Sequence, residues 1–186
     1  MHIKMELFKR DHRGETSLQI YSYSIPELDS YYTSIPIYNK DNKVISILKK
    51  NRHRILTKLF HMLLRYGMPY CYNAFSIDNR PIYKIDCVFT GVRYSLYSSK
   101  ASEKTSIKQD RVQLIEKVQS FKLNGEVYQF EKDYTNAGTL KLNGEKIATI
   151  RNLDSTNTNL TNRIHIEAIN DDNASLIAIM YQTFVY

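Results

Sequence analysis

Three features of the sequence predict a mainly β domain, a closed antiparallel barrel or strongly curved sheet filled by one apolar helix. Apolar and polar residues alternate with period two along most of the chain. Asn-Gly and other Asn- and Asp-rich turns separate the alternating runs, and the final segment is apolar on nearly every side. With 186 residues, 42% hydrophobic and 24% charged, the chain has the size and composition of a single domain spanning 1–186.

The strands follow in order. Leu18-Gln19-Ile20-Tyr21-Ser22-Tyr23, Ile35-Pro36-Ile37-Tyr38 and Val44-Ile45-Ser46-Ile47-Leu48 alternate, as does the run from Ile82 to Phe89. Tyr and Ile favour pleated, half-buried positions of this kind. Asn39-Lys40-Asp41-Asn42 joins the second run to the third, and Asp78-Asn79-Arg80-Pro81 precedes the fourth, as short polar hairpin loops. Asn124-Gly125 and Asn143-Gly144 each stand between alternating apolar residues and predict type I′ hairpins, whose two central residues both need positive φ. A later strand places Ile164, Ile166 and Ala168 on one face and His165 with Glu167 on the other.

Two segments break the period. Residues 54–66 contain no Gly or Pro and are followed by Gly67, a helix stop. On a helical wheel the apolar residues cover roughly 200°, while Arg54, Lys58, His61 and Arg65 fall within about 60° of one another, which predicts a basic amphipathic helix. At the C-terminus, Asp171-Asp172-Asn173 offers helix caps, and Ala174 onward carries Leu176, Ile177, Ile179, Met180 and Phe184. A helix apolar all round must be enclosed, and about 13 residues are too few to span a bilayer, so protein is the expected surround. The same residues would also suit a buried edge strand.

Net charge is +7, and its distribution says more than its total. Residues 1–68 hold 12 Lys and Arg against 6 Asp and Glu, whereas residues 69–186 hold 14 against 13. No acid occurs between Asp41 and Asp78, a gap containing Lys43, Lys49, Lys50, Arg52, Arg54, Lys58 and Arg65. Such a localised field concentrates anionic partners, nucleic acid or lipid, unless it is simply a solvated face.

Motifs for chemistry are lacking. The six glycines form no GxG, and there is no GxSxG or HExxH. The five histidines have no i, i+3 or i, i+4 pairing, so neither a metal site nor a cofactor is expected. Cys71 and Cys87 lack CxxC spacing and read as small buried hydrophobes of a chain in a reducing cytosol. His165 and Glu167 could form an acid/base pair, but an exposed polar strand face accounts for them better. No catalytic residue is assigned.

The order of elements resembles the small bacterial proteins with a tubby C-terminal-like domain, relatives of the LURP-one-related proteins and the phospholipid scramblases. The resemblance is carried by Ile35-Pro36-Ile37-Tyr38-Asn39, the run from Val44 to Lys50, Tyr72-Asn73-Ala74-Phe75-Ser76-Ile77-Asp78, Lys132-Asp133, Lys146-Ile147-Ala148-Thr149-Ile150 and the ending from Leu176 to Phe184. It covers about residues 34–186. It implies a closed barrel of about a dozen strands around a central hydrophobic C-terminal helix, and no reaction. Tubby proteins bind phosphoinositides through basic surface residues.

The expected function is therefore a non-enzymatic binding protein, cytoplasmic and docking on anionic membrane lipid through Lys49, Lys50, Arg52, Arg54, Lys58 and Arg65. The alternatives are a nucleic-acid-binding barrel that uses the same cations on phosphates with Tyr70 and Tyr72 as base stackers, or an intracellular partner-binding scaffold.

Overall fold

The computed structural model describes residues 17–25, 34–50, 71–87, 93–101, 104–112, 116–153 and 163–185. Among them are twelve strands: β1 (Gln19–Ser24), β2 (Ser34–Asn39), β3 (Val44–Lys50), β4 (Tyr72–Phe75), β5 (Pro81–Cys87), β6 (Tyr94–Ser98), β7 (Thr105–Val112), β8 (Glu116–Leu123), β9 (Glu126–Lys132), β10 (Gly138–Leu142), β11 (Glu145–Asn152) and β12 (Arg163–Ala168). One helix, α1 (Asp171–Phe184), follows them. Each strand pairs antiparallel with its neighbours in sequence, and β1 closes the barrel on β12 through six register pairs from Gln19 opposite Ala168 to Ser24 opposite Arg163. Strands that alternate in direction can close antiparallel only in even number, and twelve meets that condition. The predicted closed barrel is what forms. The basic amphipathic helix expected over 54–66 lies outside the described residues.

Turn chemistry sets the register. Asn124-Gly125 and Asn143-Gly144 have φ of 52° and 85°, and of 50° and 90°, the two positive values a type I′ hairpin requires. A second turn is used three times, at 39–43, 76–80 and 133–137. In each, the first residue's N–H donates to the fifth residue's carbonyl, and its side-chain oxygen accepts from the fifth residue's N–H. The fourth residue is Asn42, Asn79 or Asn136, at φ 56°, 58° and 63°. Asparagine tolerates this left-handed conformation better than other residues with a side chain.

α1 enters at one end of the barrel and runs down its interior, packing against β3, β4, β5, β10, β11 and β12. Every residue from Ala174 to Thr183 is buried, as the all-round apolar pattern requires. Leu176, Ile177, Ile179 and Met180 each contribute about 1.5–3 kcal/mol by leaving water. The N-cap is Asn170, whose Oδ1 accepts from the Asn173 N–H at 2.9 Å. The helix thus begins ahead of the expected caps. Asp171 and Asp172 lie in its first turn, where negative charge complements the helix dipole.

Several polar atoms on the helix are met by the wall, whereas Gln182 Oε1 and Thr183 Oγ1 are buried without a hydrogen-bond partner among the described residues. Tyr21 Oη donates to Asp171 Oδ1 at 2.8 Å, and Gln182 Nε2 donates to Tyr23 Oη at 3.0 Å. Ser175 donates its hydroxyl proton to the Asp171 carbonyl, so Ser46, 2.7 Å away, is the donor to Ser175 Oγ. The β8–β9 side of the lumen is filled by its own aromatics, Phe130 together with Phe121 and Tyr128, whose rings stack at 5.4 Å. Gly138 makes room for this packing, because a Cβ there would lie 2.7 Å from Phe130 Cε2 and 2.8 Å from Ile150 Cγ2. Gly138→Ala should therefore destabilise the protein by about 1–3 kcal/mol, at about 2–4 °C of melting temperature per kcal/mol for a chain of this size. An unchanged melting temperature would contradict this packing.

Candidate functional site

The two ends of the barrel differ. At the end where α1 enters, the connections between consecutive described strands are 40–43, 76–80, 99–104, 124–125 and 143–144. At the opposite end they are 25–33, 51–71, 88–93, 113–115, 133–137 and 153–162. The longest of all, 51–71, joins two strands that are hydrogen-bonded to each other, with Lys50 directly opposite Tyr72. The chain from 51 to 70, which contains Arg52, Arg54, Lys58 and Arg65 and no acid, therefore leaves and re-enters the barrel at this one end.

Of the residues singled out from sequence, Arg52, Arg54, Lys58, Arg65 and Tyr70 lie outside the described residues. Lys49, Lys50 and Tyr72 are described, and they do not form one patch. Lys50 shares the inward face of β3 with the buried Ser46 and Leu48, and burial holds its ammonium below the ordinary lysine value. Lys49 points out, with its Nζ 4.7 Å from the centre of the Phe75 ring and donating to Asn79 Oδ1 at 2.6 Å. Adjacent residues on a strand face opposite sides. Tyr72 is half-buried against the core across from Lys50, rather than presented as an open stacking face.

A recess of about 590 Å³ opens at the same end, above the C-terminus of α1. One bank is the 133–137 turn and the other is Arg151 and Asn152, with Tyr181 and Val185 beneath. Asp133 Oδ1 is committed to the turn, accepting from the Thr135 N–H at 2.8 Å, the Thr135 hydroxyl at 2.7 Å and the Ala137 N–H at 2.9 Å. The Arg151 side chain is 60% exposed, with its Nη2 3.8 Å from Glu167 Oε1. Sequence reasoning missed this recess because its parts come from three distant segments.

Reactive groups are subdued. His165 Nε2 lies 3.5 Å from Glu167 Oε1 on the outer wall of β12, and neither residue lines the recess. Burial, then the Cys87 thiol and the Asp86 carboxylate, pushes the Cys71 thiol up to about 12. Burial also raises the phenols of Tyr21, Tyr83 and Tyr94 above their ordinary value. No group of three or more His, Cys, Asp or Glu among the described residues could hold a metal ion, and no helix among them is long and apolar enough to cross a membrane. At pH 8 only about one Cys71 in 10⁴ is thiolate, the form that reacts. Iodoacetamide should therefore leave Cys71 unmodified in the folded protein and label it fully after denaturation, as read by peptide mass spectrometry. Rapid native labelling would refute the buried placement.

No curated protein and no solved structure matches the chain. The family model for the Tubby C-terminal like domain matches residues 21–186. That span takes in most of β1, which the resemblance read from sequence left out, and β1 is the strand that closes the barrel on β12. With this match over most of its length and a twelve-strand barrel closed around a buried C-terminal helix, the chain belongs to the tubby C-terminal-like domain family.

Proposed function

We propose that this protein is a non-enzymatic binding module that docks on anionic membrane lipid, as a cytoplasmic protein peripheral to the inner face of the membrane. The observation that supports it is the return of the acid-free connection between Lys50 and Tyr72 to a single end of a rigid barrel. Arg52, Arg54, Lys58 and Arg65 belong to that connection, with Lys49 and Lys50 at its root. Each cation near an anionic surface contributes on the order of 1 kcal/mol. The six sum to about 6 kcal/mol, a dissociation constant of roughly 40 μM before losses, and the inward-facing Lys50 and the Asn79-bound Lys49 add least.

The test is cosedimentation with vesicles of phosphatidylcholine alone or mixed with phosphatidylserine. Wild type should bind the anionic vesicles only, and less as salt rises, because the Debye length shrinks from about 10 Å at 0.1 M to about 3 Å at 1 M. Reversing charge at Arg54→Glu, Lys58→Glu and Arg65→Glu should abolish binding while the melting temperature holds. Binding unchanged by the reversal would refute this reading. Tyr70→Ala with Tyr72→Ala should leave vesicle binding intact. A loss of oligonucleotide affinity of about 1–3 kcal/mol per stacked base would instead mark a nucleic-acid binder.

A further inference from the structure

Among the described residues, five large apolar side chains are exposed: Ile20, Ile77, Tyr97, Tyr134 and Leu153. Single exposed hydrophobes are ordinary on protein surfaces. Tyr134 and Leu153 are distinguished by where they stand. Tyr134, 89% exposed, is the second residue of the 133–137 turn, and Leu153, 49% exposed, directly follows Asn152. They therefore stand beside the two banks of the recess, which Asp133 and Thr135 line on one side and Arg151 and Asn152 on the other. Both belong to the end of the barrel where the acid-free connection emerges, and where the strand ends bring Lys50, Arg93, Arg151 and Arg163.

We infer that Tyr134 and Leu153 are interfacial anchors that enter the headgroup region of an anionic bilayer on either side of Arg151, so that the barrel stands with its long-connection end against the membrane. The inference rests on the membrane reading above and adds the contact residues and the orientation. A protein partner would call for a contiguous apolar patch, with charge depleted at its centre. Here two separated apolar side chains flank a polar recess lined by one arginine and one aspartate, at the end of the barrel from which the basic connection emerges, an arrangement that suits a zone where Tyr sits at headgroup level. Asp133 keeps its negative charge, with one carboxylate oxygen held by three donors of its own turn, so attraction comes from the basic connection while Tyr134 and Leu153 supply apolar contact.

The 76–80 turn supplies an internal control. It has the same hydrogen-bonding plan as 133–137 and carries Ile77, 65% exposed, in the place of Tyr134, but at the opposite end of the barrel. The chain also contains no Trp, so Tyr134→Trp gives a single indole at the proposed point of entry. With phosphatidylserine-containing vesicles its emission should move to shorter wavelength and be quenched by lipids brominated near the top of the acyl chain. Tyr134→Ser with Leu153→Ser should weaken binding about tenfold, the scale of losing partial burial of two apolar side chains, whereas Ile77→Ser should leave it unchanged. All variants should melt with the parent, because the altered side chains are exposed. If Tyr134→Trp binds vesicles with the emission of a solvent-exposed indole and no quenching, or if Ile77→Ser weakens binding as much as the double variant, the orientation is wrong and the reading based on the basic connection stands. If wild type binds no anionic vesicles, both fall.

Discussion

Closing twelve strands into a ring leaves a lumen that wall side chains cannot fill, since about eight strands is the size at which they suffice. The fold therefore depends on α1, a cylinder about 10–12 Å across with its side chains, being enclosed by the barrel. That constraint explains why the helix has no polar face. It also explains why polar atoms on the helix draw partners from the wall, as Ser46 answers Ser175 and Tyr23 answers the Gln182 Nε2, while Gln182 Oε1 and Thr183 Oγ1 go unanswered among the described residues. An unmet polar atom in such a place costs about 1–3 kcal/mol, so these contacts fix the depth and rotation of the helix as well as stabilising it. Where the helix does not reach, Phe121, Tyr128 and Phe130 complete the filling, and Phe130 with Ile150 leaves no room for a Cβ at Gly138.

Much of this was legible in the sequence because the signals are local. Period-two alternation placed Ile164 and Ile166 inside and His165 and Glu167 outside, and the Asn-Gly pairs gave two hairpins with their turn type. The helix start was misplaced because Asp171, Asp172 and Asn173 are all competent caps, and only the backbone geometry selects Asn170. Lys49 and Lys50 were grouped as neighbours in sequence, although the same period-two rule that located the strand sends them to opposite faces. The recess could not be read at all. Its lining comes from a turn, a strand end and the last turn of a helix, and no spacing rule links residues 133, 151 and 181.

The division of labour between the barrel ends has a physical basis. Short turns at the helix-entry end fix register, and four of them repeat one hydrogen-bonding plan or use Asn-Gly. Closing a longer loop costs little extra entropy per added residue, so the other end can carry long connections without loss of the closed sheet. Function in β-barrels gathers on such connections because a rigid wall holds their ends. Here the wall does so directly, with Lys50 opposite Tyr72 at the two roots of the basic connection and β4 packed against α1.

Charge and apolar anchoring would then contribute different things to docking. A field of cations attracts an anionic surface from about a Debye length away, but it barely constrains how the protein is tilted, since many orientations bring the same charges near. Two apolar points on separate banks of a rigid rim do constrain it, because each must reach the interface at once. The turn that presents Tyr134 is stiffened by the Asp133 carboxylate and by Asn136 at positive φ, and Leu153 is tied to Arg163 through its backbone N–H. A barrel oriented in this way brings its recess, with Arg151 at the edge, to the level of the lipid phosphates. On this proposal the basic connection would supply attraction and the rim would supply geometry.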